Sequence, residues 1–374
     1  MGTTGTSAEQ TSSSLPDEAE FDTVTGPDHP LCALPPEPPR IFDEPLDGSR
    51  TSAILESAKK WVNGTTLHYC FLSDPPYSKD KNVVSDAFDA WKEIPIGLNF
   101  EHVAQPADAE IRVSFQHGKG SYSYLGRDAL TRPQTMETMN FGWALSGSDF
   151  GRDTALHEIG HAIGLPHEHQ NPFAGIVWNE QAVLDYFAGP PNRWDEDKTR
   201  WNVLRKIDAD TVQGSSWDAD SIMHYNFQAG LIQQPTKYQQ GLSPAPGLSD
   251  RDKTWAQKFY PPSPDEDLKK LKPFQAQSFE LAPAEQVNLL IKPSATRSYQ
   301  IGTFGSSDAV LVLFERVTDS KSGTKTSRFV AGDDDSGFAR NALLRVRLVA
   351  GREYVVRLRL YWPGLSGKTA IMMW

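Results

Sequence analysis

The run His157-Glu158-Ile159-Gly160-His161-Ala162-Ile163-Gly164-Leu165-Pro166-His167 constrains this chain more than any other feature. Residues four apart share one face of a helix, so His157 and His161 point side by side. Ala155, Leu156, Ile159, Ala162 and Ile163 form the opposite, apolar stripe. The pattern predicts a helix over 152–164, packed by that stripe and turning two imidazoles into a cleft, with Asp153 or Thr154 as its N-cap. Gly164 lets the chain turn sharply and bring His167 round. Three neutral imidazoles suit zinc and leave a fourth position open. Glu158 is too offset to be the third ligand but is placed to take a proton from water polarised by the ion. Histidines that merely decorate a helix are the competing reading, and the full spacing argues against it.

A second stretch, Asp220-Ser221-Ile222-Met223-His224-Tyr225, adds an apolar, polarizable Met223 that can floor a metal site. Tyr225 adds a phenol able to bind zinc or to donate to an oxyanion. Taken alone, these residues also suit an ordinary turn. His224 reads as structural and His169 as a partly exposed polar residue.

Around these motifs the chain divides by composition. Residues 1–50 form a Pro-rich N-terminal extension, with prolines at 30, 35, 36, 38 and 39 favouring extended backbone. Strand alternation appears at 64–72, 98–104 and 109–115, with a glycine-bounded edge strand at 120–126 and a weaker strand at 138–145. Helical spacing appears at 81–94, ended by Pro95, and a capped final helix at 248–260. The catalytic unit is therefore expected over 51–262, with a linker at 263–272. From 273 to 374 the period becomes two, and about seven or eight strands in ~100 residues predict a β-sandwich. The expected fold is α+β, a twisted mixed sheet plus an active-site helix, followed by an all-β sandwich.

The 374 residues, 38% of them hydrophobic, suffice for two cores. A net charge of -11 argues against a nucleic-acid partner. No apolar run approaches the ~20 residues a membrane helix needs. MGTTGTSAEQ has neither a charged start nor an apolar run, so no secretory leader is visible. Two cysteines cannot build a disulfide framework.

HExxHxxGxxH, followed by Glu168 and about 55 residues later by SIMHY, resembles the astacin family of metzincin zinc endopeptidases. KWVNGTTLHYCF, GSYSYLG and LSDRDKTWAQKFYP are similar to that family's opening strand, substrate-flanking edge strand and closing helix, so the resemblance covers roughly residues 56–262. It implies a metzincin-like protease domain with one Zn2+ on His157, His161 and His167, and a protein or peptide substrate. Glu158 would be general base and then acid, and Met223 the Met-turn. Tyr225 would be a fifth, detachable ligand that stabilises the tetrahedral intermediate. Gly120, Ser121, Tyr122, Ser123 and Tyr124 would pair with an extended substrate. The two disulfides of many members cannot form here, because the segment holds only Cys70. The resemblance also implies a mature chain starting near the opening strand, its N-terminus paired with Glu168, and a pro-segment before about residue 50. Asp43 and Asp47 are the candidates for the aspartate that blocks zinc in such segments.

Cys32 is the other candidate, since a thiolate is a soft, strong zinc ligand and this one sits in a stiff stretch. PLCALPP is loosely similar to the cysteine switch of the related matrix metalloproteases. Three readings stand: Cys32 on zinc in a latent form, a Cys32–Cys70 disulfide, or a free thiol. Cys70 suits a buried place on a strand. The C-terminal segment resembles the pre-peptidase C-terminal type of sandwich that follows bacterial secreted proteases, which implies an accessory role. Asp333, Asp334 and Asp335 offer oxygens for Ca2+, or form an acidic turn. Arg345, Arg347, Arg357 and Arg359 alternate as the solvent face of a sheet. The pocket that sets cleavage preference is expected from residues 226–235 and 170–220.

The expectation is a zinc-dependent endopeptidase. The alternatives are a binding or adhesion module with a shut protease domain, and a dedicated intracellular peptide-processing protease. The resemblance favours secretion; the start of the chain does not.

Overall fold

A computed structural model describes residues 30–35, 59–207, 217–262, 268–282, 285–318, 325–361 and 365–374. Asp43, Asp47 and a chain start near residue 51 lie outside the described residues.

The alternating stretches become β1 (Thr65–Phe71), β2 (Leu98–His102), β3 (Ile111–Ser114), β4 (Tyr122–Ser123) and β5 (Met139–Asn140), ordered β2-β1-β3-β5-β4. The first four in that order run parallel, and β4 closes the edge antiparallel to β5. This is the mixed sheet that the sequence predicts. Helix α1 (Asp80–Glu93) lays Val84, Ala87, Phe88 and Trp91 on the sheet, with Phe88 stacked on Tyr69 at 4.1 Å. Trp91 Nε1 donates to the Leu156 carbonyl at 3.0 Å and so ties α1 to α2 (Asp149–Ala162).

Helix α2 starts earlier than its apolar stripe indicates. Ser148 caps it, accepting from Gly151 N at 3.1 Å. Asp153 instead accepts from Gly247 N, and Thr154 turns its hydroxyl to the Phe150 carbonyl. Phe150, stacked on Trp143 at 5.8 Å, draws the extra turn into the helix. Residues 154–162 are all buried.

The described residues of the stretch 170–220, which shows few clear periods, fold around a second core. It contains the antiparallel ribbon β6 (Val177–Trp178) and β7 (Ile232–Gln234), with α3 (Glu180–Ala188) and α4 (Glu196–Thr199). Ile176, Val183, Phe187, Trp194, Val203, Tyr225, Phe227 and Ile232 fill it. Helix α5 (Asp250–Phe259) opens on a Ser249/Asp252 capping box. Tyr260, just after it, donates to the Ile163 carbonyl at 2.6 Å, at the end of α2.

The C-terminal part is an all-β sandwich of β8 (Lys269–Lys270), β9 (Gln277–Leu281), β10 (Gln286–Ile291), β11 (Arg297–Phe304), β12 (Ala309–Thr318), β13 (Lys325–Asp333), β14 (Leu343–Leu348), β15 (Glu353–Leu360) and β16 (Gly367–Met373). One sheet is ordered β13-β12-β15-β10-β8 and the other β14-β11-β16-β9. Leu311, Leu313, Val356, Leu358, Ile301, Leu344 and Ile371 pack between them. The sandwich begins inside the stretch read as a linker, because Lys269–Lys270 pairs with Leu289 and Leu290.

Two expectations for this part need correction. The Asp333 carboxylate is used within its own turn, accepting from Ser336 N and Leu343 N at 3.1 and 2.7 Å, and no calcium cage forms at Asp333, Asp334 and Asp335 among the described residues. Arg345 and Arg347 are exposed, but Arg357 and Arg359 are buried, at 2% and 5% exposure. Their outward face is covered by the N-terminal half. Among the described residues no helix is long and apolar enough to cross a membrane.

Candidate metal centre

Helix α2 carries His157 and His161 on successive turns. His157 Nδ1 donates to the Ile222 carbonyl and His161 Nδ1 to the Leu165 carbonyl, both at 2.7 Å. Those bonds fix both tautomers with Nε2 as the free lone pair. The chain leaves α2 through Gly164 at φ +93°, a left-handed turn where a side chain would be strained. Leu165 N returns to the Gly160 carbonyl at 3.0 Å, and the extended backbone that follows delivers His167. His161 Nε2 and His167 Nε2 then lie 3.1 Å apart. Two Zn–N bonds of about 2.0–2.1 Å at the tetrahedral angle separate their nitrogens by about 3.4 Å, close to this spacing. His157 Nε2 is buried with no hydrogen-bond partner. A buried nitrogen left open, beside a nitrogen pair spaced like ligands, is a donor set that fits zinc.

Met223 lies beneath the helix. A Cβ on Gly160 would stand 2.3 Å from Met223 Sδ, so glycine between the two histidines is what lets the sulfur approach. The turn is held from α5: Ser221 Oγ donates to Asp252 Oδ1 at 2.6 Å and Ile222 N to Oδ2 at 2.8 Å. Asp252 therefore fixes the carbonyl that fixes His157. Sequence reasoning passed over this role; the capping box was its only signal.

Glu168 does not face the centre. Its Oε1 accepts from Asn171 Nδ2 and Asp218 N, each at 3.0 Å, and burial pushes its carboxyl up to about 7. The chain start expected to meet it lies outside the described residues. His169 is corrected: it is buried at 2% exposure, with Nε2 donating to the Asn202 carbonyl at 2.8 Å and its ring 4.3 Å from that of Tyr225. The helical turn Arg200–Leu204, which carries Asn202, covers it. His224 turns Nδ1 to the Tyr225 carbonyl.

Residues 30–35 lie in the cleft as a strap. Leu31 N donates to Asn192 Oδ1 at 2.8 Å and Leu34 N to Asn202 Oδ1 at 2.9 Å. The Tyr225 hydroxyl donates to the Cys32 carbonyl. Cys32 Sγ lies 3.5 Å from Glu158 Oε2. One ligand atom from each of Cys32, His157, His161 and His167 lies within 4.8 Å of the others. Cys32 and Cys70 are not bonded, which removes the disulfide reading; Cys70 is buried on β1. Burial pushes the Cys32 thiol up, with Glu158 adding to the shift, and pushes the Glu158 carboxyl up to about 8. It pulls His157 down to about 4 and lowers His161 and His167 as well.

On one side of the strap a cleft of about 1130 Å³ runs between Gly120–Tyr124, which includes the edge strand β4, and Asn192–Asn202. On the other side a pocket of about 310 Å³ beside His157 and Glu158 is lined by Trp143, Phe150, Asp153 and Pro244. Residues 226–235 contribute little there, because Phe227, Leu231 and Ile232 are buried in the second core.

The family model for Astacin, a peptidase family, matches residues 53–182. The zinc metalloproteinase nas-36 of Haemonchus contortus is 27% identical over 190 residues, 50% of this chain and 27% of that protein. The chain thus spans about a quarter of that relative's length. The solved structure of myroilysin is 34% identical, covers 55% of this chain and 96% of its own, and superposes with a TM-score of 0.50. For the sandwich, a pre-peptidase C-terminal domain of a Bacillus anthracis collagenase has 10% identity and a TM-score of 0.24, too low to carry an argument.

Proposed function

The chain belongs to the astacin family of zinc peptidases, and on that premise we propose that it is a zinc-dependent endopeptidase of proteins or peptides, held latent by its own residues 30–35. The observation that carries this reading is the convergence of Cys32 Sγ with the nitrogens of His157, His161 and His167, Glu158 standing beside them. Zinc, when bound, supplies Lewis-acid polarisation of a carbonyl and of a water molecule.

The other work falls to the chain's own side chains. His157, His161 and His167 hold the ion, and Met223 floors the site. Glu158 takes a proton from the attacking water and passes it to the leaving amide nitrogen. Tyr225 donates to the oxygen that becomes negative; its bond to the Cys32 carbonyl, a peptide carbonyl in the same cleft, supports this role. Gly120, Ser121, Tyr122, Ser123 and Tyr124 pair with the backbone of an extended substrate, a role supported by the edge position of β4. Glu168 is structural. Cys32 takes the fourth ligand position, which a soft thiolate fills well. In this reading residues 1–50 are a pro-segment and 51–262 the catalytic domain; a linker shorter than 263–272 leads into an accessory sandwich that starts with β8 and runs to 374, and the protein is secreted.

The test compares full-length zinc-loaded protein with Cys32→Ala on a peptide library read by mass spectrometry. Cleavage at internal bonds, at least about tenfold faster in Cys32→Ala and abolished by a chelator, is the expected result; a tenfold change is about 1.4 kcal/mol in the barrier. Equal rates would remove the latency, and no cleavage by either folded protein would remove the enzyme.

A further inference from the structure

Arg357 and Arg359 lie on the outer face of β15, two residues apart, yet both are buried. Burying two guanidinium groups is costly unless their donors are satisfied. Backbone carbonyls of the catalytic half take up much of that cost, although Arg359 Nε is buried without a hydrogen-bond partner. Arg357 Nη1 donates to the Asn63 carbonyl at 2.5 Å, and Arg359 Nη2 to the Lys60 carbonyl at 3.0 Å. Gln286 on β10 adds a bond to the Asn63 carbonyl at 3.1 Å. Arg359 Nη1 also donates to Leu360 and Tyr361 carbonyls of its own sheet. A Cβ on Gly64 would stand 1.2 Å from Arg357 Nη1, so this glycine, at φ +82°, leaves the room that the guanidinium fills. Val62 packs with Val310 and Tyr361 beside these bonds.

The gripped segment has a second attachment on its opposite side. Trp61 Nε1 donates to the Ala162 carbonyl at 2.8 Å, on the last turn of α2. Trp61 N donates to the Tyr260 hydroxyl at 3.1 Å, and that hydroxyl donates to the Ile163 carbonyl. Two C-terminal carbonyls of the histidine helix, which have no partner within the helix, are thus satisfied through the segment that the sandwich holds.

We propose that the sandwich face around Arg357 and Arg359 is a permanent docking surface for the chain's own segment Lys60–Gly64, and that both arginines act through Trp61 as positioning residues for the end of α2. The sandwich is then part of the catalytic architecture and not a detachable appendage. The docking surface stands on geometry alone; the consequence for the metal centre rests on the reading of α2 as the metal-binding helix, and none of the three readouts below uses hydrolysis, so the two fail separately.

The test uses the full chain. Wild type, the double variant Arg357→Met/Arg359→Met, Trp61→Phe and the exposed control Arg345→Met/Arg347→Met are compared by calorimetry, by hydrogen exchange over residues 157–167, and by zinc loss to a chelator. Wild type unfolds in one transition, and the Arg357/Arg359 variant in two. In that variant and in Trp61→Phe, exchange at the end of α2 and zinc loss both rise by about fivefold to tenfold, the loss of one buried hydrogen bond. The control matches wild type. Trp61→Phe keeps the ring and the docked face, so it reports even if the double variant does not fold. Two independent transitions in wild type overturn the docking surface. Unchanged exchange and zinc loss in Trp61→Phe overturn the positioning role.

Discussion

Helix α2 and strand β15 both bury polar side chains of high solvation cost, and they settle that cost in opposite ways. On β15, Arg357 and Arg359 hand their donors to carbonyls of the other half. Beneath the strap, His157 Nε2 and Glu158 Oε1 are buried with no hydrogen-bond partner. Buried polar atoms are almost always paired, so a cluster left open is strain kept for a purpose. The contrast separates a joint from a site: buried charge whose Nη donors reach across to carbonyls holds parts together, and an open ligand nitrogen beside an open carboxylate oxygen awaits a ligand.

The largest break in that contrast comes from the open side. His161→Ala removes an open donor at the end of α2, and zinc retained through dialysis, measured by atomic absorption, falls to background together with peptide cleavage. Glu158→Gln keeps the ligand nitrogens; zinc content stays at wild-type level while kcat falls by about 10²–10⁴. Gly160→Ala drives a methyl into Met223 Sδ and costs about 2–3 kcal/mol of stability, read as a lower denaturation midpoint.

The joint side responds differently. Burial, with Arg359 adding to it, pulls Lys60 down from 10.5 to about 7. The folded chain therefore releases this proton before the unfolded chain does, and stability rises from about pH 7 to pH 10.5. Lys60→Met removes the burden: it raises stability by about 1–2 kcal/mol near pH 7, and the gain shrinks as pH climbs toward 10.5. Urea unfolding of both proteins at several pH values measures this; a gain that grows with pH would contradict it. Arg345→Ala and Arg347→Ala, on the exposed face of the other sheet, shift stability by less than about 0.5 kcal/mol.

Much of this was legible in the residues. Period-two and helical patterning located β1 to β5, α1 and the sandwich, because one buried face imposes a period. The spacing of His157, His161 and His167 pointed to a single centre because helix geometry and one glycine turn bring the three together. What was not legible depends on distant partners. Alternation identified the outward face of β15, but nothing local says that Lys60 and Asn63 cover it. His169 is buried because Asn202, in the helical turn Arg200–Leu204 some thirty residues on, closes over it. Ser148 outranked Asp153 as the cap because Phe150 packs on Trp143 and extends α2. Asp333 faces its own turn, where sequence alone allowed a cation. The disulfide reading of Cys32 fell only once the strap was seen in the cleft, with Cys32 and Cys70 unbonded.

X-ray absorption at the zinc edge of the full-length protein tests the central claim most directly. A first shell of three nitrogens at about 2.0–2.1 Å and one sulfur at about 2.3 Å, with the sulfur lost in Cys32→Ala, is the expected result. A shell of nitrogen and oxygen alone in the wild-type chain would contradict it.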